Sequence, residues 1–209
     1  MLAYALTLAI LASASLTVRA AYAAPRGWFY LFKPLTTVLV LVLALQAETS
    51  SPFYKYAIAA GVAFSLAGDV FLMLSAKRFV WGLVSFLVAH LIYLTVFTAR
   101  AGFREPAWLA LPFLAAEFCI AWQIAPRARR LCWPVTVYSL ILLAMAWRAC
   151  ALWAVAGDTR ALLAGFGALL FVVSDFVLAL NRFIRRFRFA QVIVLGTYYA
   201  AQCLIAWSV

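Results

Sequence analysis

Acidic side chains are nearly missing from this chain: six in 209 residues, against seventeen Lys and Arg and a single histidine. Charged residues of both signs make up 11% of the total, where a soluble domain of ordinary composition carries about 25%. That shortage excludes a water-soluble fold, because a chain this small has no way to hide a composition that is 69% hydrophobic with a mean hydropathy of +1.06. One histidine, His90, excludes a multi-histidine metal centre. Zinc hydrolysis needs about three N or S protein ligands. The four cysteines (Cys119, Cys132, Cys150 and Cys203) form no C-x-x-C pair and lie in apolar segments, where they read as small packing residues. The ten-residue alternation of outer-membrane barrel strands is also missing.

What is present is a series of apolar runs, each about 20 residues long and able to cross a roughly 30 Å hydrocarbon core as a helix. They predict eight transmembrane helices at 2–23, 28–46, 53–75, 79–99, 106–125, 131–153, 161–180 and 189–208, an all-α polytopic protein forming a single integral membrane domain over 1–209. The short connections make neighbouring helices antiparallel. Loops after the odd-numbered spans hold eleven Lys or Arg, and loops after spans two, four and six hold four. Basic residues collect on the cytoplasmic side, so both termini are expected outside. The net charge of +11 is then a matter of topology, and no nucleic-acid partner is needed. The first apolar run ends in Ala20-Ala21-Tyr22-Ala23-Ala24, a sequence suited to signal cleavage, but no Lys or Arg precedes it. A retained first helix is expected. The expected location is a cell membrane, the inner one in a bacterium.

Shifting the sequence by 106 positions superposes Gly61 on Gly167, Asp69 on Asp175 and Tyr93 on Tyr199. Two tandem halves, 1–104 and 106–209, are therefore expected. An even number of spans in each half makes the repeat parallel, about an axis along the membrane normal.

Three of the six acids (Asp69, Glu117 and Asp175) fall inside spans. A charge at bilayer depth costs about 3 kcal/mol even on lenient scales, so such residues face a partner or a cavity. At about 1.5 Å of helical rise per residue, Asp69 and Asp175 come roughly 12 and 10 Å in from the cytoplasmic edge, and Lys33 about 9 Å. Glu117, His90 and Tyr198 fall at about 15–18 Å. His90 and Tyr93, Tyr199 and Gln202, and Tyr198 and Gln202 are helical neighbours that share a face. Gly68 and Ser174, each preceding an aspartate, permit close helix approach. These residues therefore form either interhelical glue or one polar layer in the cytoplasmic half, with Glu117 read as structural support. Arg148 is expected near the outer edge, snorkelling to the headgroups.

Several strings resemble the YhhN-like family of membrane lysoplasmalogenases. They are Phe32-Lys33-Pro34-Leu35, Ala67-Gly68-Asp69-Val70-Phe71-Leu72, Phe86-Leu87-Val88-Ala89-His90-Leu91-Ile92-Tyr93, Ser174-Asp175-Phe176-Val177-Leu178 and Tyr198-Tyr199-Ala200-Ala201-Gln202. The resemblance runs from about residue 28 to the end, and spans five and six carry no motif. It implies an eight-helix enzyme that hydrolyses the vinyl-ether bond of a lysophospholipid, with no metal or organic cofactor. Such chemistry calls for a protonated carboxyl beside an ionised one, and two carboxylates at one depth can divide those roles. Asp69 and Asp175 are the expected acid/base pair, in either order, with His90 as a third catalytic group. Tyr93, Tyr198, Tyr199, Gln202 and Asn181 would bind or orient substrate and water. Lys33 would either hold one aspartate ionised or meet the lipid phosphate. A proton-coupled transporter would also bury aspartates in a parallel repeat. The spans, however, show no Gly/Pro interruptions at matching positions of the two halves. A non-catalytic scaffold is the third reading.

Overall fold

The computed structural model describes residues 1–22, 26–49, 51–74 and 78–209. Ala23-Ala24 of the small-residue run, the end of the third span at Ser75, and Lys77 lie outside the described residues. Eight α-helices follow one another: α1 Leu2–Tyr22, α2 Gly27–Gln46, α3 Pro52–Leu74, α4 Phe79–Ala101, α5 Leu111–Gln123, α6 Cys132–Ala156, α7 Thr159–Ala179 and α8 Ala190–Trp207. No strand occurs among the described residues. The helices are apolar on nearly every side, as expected where the solvent is lipid and backbone groups must be satisfied within the helix.

Their ends are written in local chemistry. Gly102 and Gly157 both have φ of +66°, a conformation that costs glycine nothing, and their N–H groups bond back to Thr98 and Trp153. Asp158 then caps α7 by accepting from the Ala161 N–H at 2.7 Å. Gly157 and Asp158 alone therefore turn the chain between two long helices.

Among the described residues seven helices are long and apolar enough to cross a membrane, and α5 is not one of them. Its 13 residues measure only about 20 Å, and the preceding 3-10 turn, Ala107–Ala110, adds about 8 Å. The fifth run is therefore shorter than its hydropathy predicts, because the chain leaves α-geometry at both ends. A second 3-10 stretch, Ala125–Leu131, follows it. The chain nevertheless turns back here. α4 and α6 run parallel: His90 of α4 packs on Tyr138 of α6, with ring centroids 5.3 Å apart, and ten or so residues later Arg148 of α6 reaches Gly102 at the end of α4. Residues 102–131 must therefore return from one end of the bundle to the other.

The pairs α3/α4 and α7/α8 pack most closely. A Cβ at Gly61 would overlap the Tyr93 ring, and one at Gly68 would come within 2.6 Å of Phe86. On α7, a Cβ at Gly167 would meet the Ala201 carbonyl oxygen at 2.9 Å. Ser174 Oγ donates to the Val194 carbonyl of α8 at 3.0 Å. α1 lies at the edge against α2 and α8, held by Ser13 and Thr36 at 2.7 Å and by Trp207 Nε1 donating to Thr7 at 3.0 Å.

Arg148 departs from the expectation. It is 2% exposed, bonded to the Glu105 carboxylate and the Gly102 carbonyl, with its guanidinium 4.9 Å from the Phe103 ring. The α4–α5 turn folds over it and supplies its counter-charge, so it has no need to snorkel. Glu117 also stands apart. It faces the α5/α6 contact with neither carboxylate oxygen hydrogen-bonded, and it does not line the cavity described below.

Candidate active site

The centre of the site is Asp69 on α3, 1% exposed. Lys33 and Thr37 of α2 are one helical turn apart and both turn to it. Lys33 Nζ lies 3.1 Å from Oδ1, and Thr37 Oγ1 donates to Oδ2 at 2.7 Å. Tyr198 of α8 donates to the same Oδ2 at 2.8 Å. Three helices thus converge on one carboxylate, and its charge is met by an ammonium and two hydroxyls. Breaking such a buried pair by removing one partner typically costs about 3–5 kcal/mol. Behind it a chain of bonds runs deeper: Gln202 Nε2 donates to Tyr198 Oη at 3.5 Å, and Tyr93 of α4 donates to Gln202 Oε1 at 3.0 Å. Tyr199 points the other way, donating to the Lys33 carbonyl at 3.3 Å and fixing α2 where the lysine leaves it.

Asp175 on α7 has a different environment. Tyr138 of α6 donates to its Oδ2, and among the described residues no cationic nitrogen lies within 4.0 Å of it. The two aspartates line one cavity of about 430 Å³, together with Lys33, Ser174, Tyr198 and Asn181. This volume falls within the 300–1,000 Å³ of ordinary small-ligand sites. At the mouth are Arg182, Arg186 and Gln191. A smaller, almost wholly apolar slot of about 70 Å³ runs between α5, α6 and α7, lined by Ile120, Val135, Leu142 and Val172. Asp175, Phe86 and Arg182 line both spaces. Asp175 therefore sits where a polar chamber meets an apolar one.

The mouth opens at the basic end of the bundle. Tyr22 at the end of α1 donates to the Arg188 carbonyl at 2.7 Å, and Phe79 and Phe183 stack edge-on at 6.3 Å, so these turns share one end. The opposite end carries Arg100 with Asp158 at 3.9 Å, and Tyr54 with Ser208 at 2.8 Å.

The sequence-predicted residues divide accordingly. Lys33, Asp69, Asp175, Tyr198 and Asn181 are brought to the cavity, while Gln202, Tyr93 and Tyr199 support it by hydrogen bonds. Asn181 also accepts from the Phe187 N–H at 3.1 Å, which braces the α7–α8 turn. His90 is not brought to either carboxylate. It is fully buried, edge-on to Phe171 at 4.7 Å, with both ring nitrogens unbonded. Its depth along α4 is as expected, but that face of the helix turns toward aromatic rings. It meets the site through aromatic rings, Tyr138 on one side and Phe171, which packs on Tyr198 at 5.5 Å, on the other.

Thr37 and Tyr138 are additions. Thr37 was legible as the i+4 neighbour of Lys33. Tyr138 gave no signal, because a tyrosine in an apolar span is ordinary.

The YhhN family profile matches residues 28–209. The chain belongs to the YhhN family. A protein of Escherichia coli (O6:H1) named as the uncharacterized membrane protein YhhN is 34% identical over 204 residues, covering 96% of each chain. The human lysoplasmalogenase TMEM86B is 34% identical over 184 residues, covering 87% of this chain and 76% of that one. The bovine lysoplasmalogenase TMEM86A is 37% identical over 153 residues, covering 71% of this chain and 62% of that one. No solved structure matches. The family membership and the seven long apolar helices together make this YhhN-family chain a multi-pass integral membrane protein.

Proposed function

We propose that the protein is a membrane hydrolase that cleaves the vinyl-ether bond of lysoplasmalogens, releasing a fatty aldehyde and glycerophospho-ethanolamine or -choline. The observation that carries the reading is the pair of unlike carboxyls in one cavity, with an apolar slot meeting the second of them. Relatives named lysoplasmalogenase at 34% and 37% identity support it.

In this reading Asp175 is the acid. With no cationic nitrogen of the described residues within 4.0 Å, its carboxyl can hold a proton, and Tyr138 fixes its orientation. The proton passes to the β-carbon of the vinyl ether and leaves an oxocarbenium ion. Asp69, its charge balanced by Lys33, stabilises that cation across the cavity and accepts a proton from the water that attacks it. The resulting hemiacetal collapses to aldehyde and alcohol as its hydroxyl proton passes to the departing glycerol oxygen, and the proton held by Asp69 returns to Asp175 through water in the cavity that both line. The slot is too small for a whole fatty chain, so the tail extends past α5 into the bilayer. The alternative is a proton-coupled transporter of a small molecule or lipid using the same aspartates; a polar solute gives the apolar slot no purpose, and a transported lipid would release no aldehyde.

The same proposal takes the whole chain, 1–209, as one domain with both termini outside and the cavity mouth in the cytoplasm. It relates the halves 1–104 and 106–209 as a parallel repeat. In support, positions 106 apart on α3 and α7 both pack closely on the following helix, though on different partners: Gly61 on Tyr93 and Gly68 on Phe86 of α4, Gly167 on Ala201 and Ser174 on Val194 of α8. The test is direct: purified protein in detergent, given lysoplasmalogen, should release aldehyde at a rate proportional to enzyme. A protein that is folded and releases none overturns the reading.

A further inference from the structure

Three cations border the cavity: Lys33, Arg182 and Arg186. Lys33 is committed to Asp69 at 3.1 Å. Among the described residues, neither arginine has a carboxylate within 4.0 Å or a side-chain hydrogen bond to the protein. Arg182 is nonetheless placed. Its guanidinium carbon lies 3.7 Å from the centroid of the Phe79 ring, so one face is covered and its in-plane N–H edge is left for a ligand. The five-residue π-turn Leu180–Ile184 carries it, and such turns recur at functional sites. Arg186 lies four positions on, and the bond from Phe187 N–H to Asn181 closes the turn that holds both. Topology alone does not account for this arrangement. Arg185 and Arg188 sit in the same turn, satisfy the same charge bias, and line neither space.

The geometry points to Arg182 and Arg186 as a recognition site for a phosphate group, the headgroup phosphate of a single-chain lipid whose tail enters the apolar slot. The inference rests on the hydrolase reading for its choice of lipid. The linings offer each part of such an amphiphile a place: the two arginines for the phosphate, Asp175, which lines both spaces, for the ether linkage, and the apolar slot for hydrocarbon. Planar arginine suits this task because two parallel N–H groups meet two phosphate oxygens.

Binding of uncleavable probes tests it apart from catalysis. The full-length protein in detergent is titrated with a 1-O-alkyl-glycero-3-phosphocholine, whose saturated ether is inert to vinyl-ether hydrolysis, and with the matching 1-O-alkylglycerol, which has no phosphate. The wild type should prefer the phosphorylated probe by at least about 10- to 100-fold, the range expected of a single charge-assisted contact. In R182Q/R186Q that preference should vanish, and in R182K/R186K it should survive in part. R185Q/R188Q, with the same loss of charge, should keep it. Equal binding of both probes by the wild type overturns the inference, even if the Gln variant fails to fold. So does a preference that persists in R182Q/R186Q or falls as far in R185Q/R188Q. Inorganic phosphate binding as tightly as the phospholipid probe would make free phosphate the ligand and overturn the headgroup assignment. A wild type that shows the preference yet releases no aldehyde from lysoplasmalogen defeats the hydrolase reading and leaves the phosphate site standing.

Discussion

Replacing each aspartate by asparagine should separate chemistry from stability, because the two carboxyls are held so differently. Asp69→Asn removes the counter-charge of Lys33, whose side chain is 9% exposed. A buried charge stranded in this way costs about 3–5 kcal/mol. Asp175→Asn strands no cation, and its amide oxygen can still accept from Tyr138, so no more than about 1 kcal/mol is at stake. Both changes remove a group needed for proton transfer, and general acid–base catalysis contributes about 10²–10⁴-fold. The expected pattern is therefore asymmetric. Asp175→Asn should unfold at nearly the wild-type temperature yet lose at least a hundredfold in aldehyde release per folded molecule. Asp69→Asn should lose both activity and several degrees of unfolding temperature. Adding Lys33→Met to Asp69→Asn should restore stability, since an apolar replacement of a buried pair is often neutral or better, but not turnover. The double Asn variant should be little worse than the poorer single one, as groups acting together do not lose activity additively. The measurements are thermal unfolding in detergent and turnover normalised to monodisperse protein. If Asp175→Asn keeps more than about a tenth of wild-type turnover, the acid is misassigned. If Asp69→Asn is as stable as wild type, the account of the ion pair is wrong.

Three further outcomes are expected. Tyr138→Phe keeps the ring against His90 but removes the donor to Asp175, so turnover should fall about tenfold while stability changes by no more than about 1.5 kcal/mol; unchanged turnover would dismiss Tyr138. Gly61→Leu should cost about 1–3 kcal/mol in unfolding, because Tyr93 already occupies the space. Gly196→Ala, with nothing within 4 Å, should be neutral or stabilise α8 by up to about 1 kcal/mol, and the reverse order would refute the packing argument. Cysteines introduced at Gly157 and Arg185 should differ in whole cells: an impermeant thiol reagent should reach only the first, and labelling of the second would invert the topology.

Much of the site was legible because charge is so scarce here. In a chain with three acids inside its apolar runs, Asp69 and Asp175 announce themselves, and the rise per residue put Lys33 at a matching depth. What depth cannot supply is rotation about the helix axis. His90 lies at the right level and faces Phe171 instead of the cavity. Hydroxyls are also quiet: Thr37 and Tyr138 are common in apolar spans, and only their contacts with Asp69 and Asp175 mark them. Arg148 was misread for a third reason. Counting residues to the nearest loop says how far a side chain must reach for water, and says nothing of a loop that folds back to meet it with Glu105. The short α5 shows the limit of hydropathy itself, which measures apolar length and takes no account of where the chain tightens into 3-10 turns.

The bond between Lys33 and Asp69 also has a consequence for how the chain enters the membrane. Each residue alone adds about 2.5–3.5 kcal/mol to the insertion of its helix, enough to delay either one at the translocation channel. Their helices are consecutive and joined by the short stretch between Gln46 and Pro52, so the two charges leave the ribosome within a few seconds of each other. If α2 and α3 insert as a hairpin, the two charges that lie 3.1 Å apart in the fold need not cross lipid singly, so the pair at the cavity would also lower the cost of membrane entry.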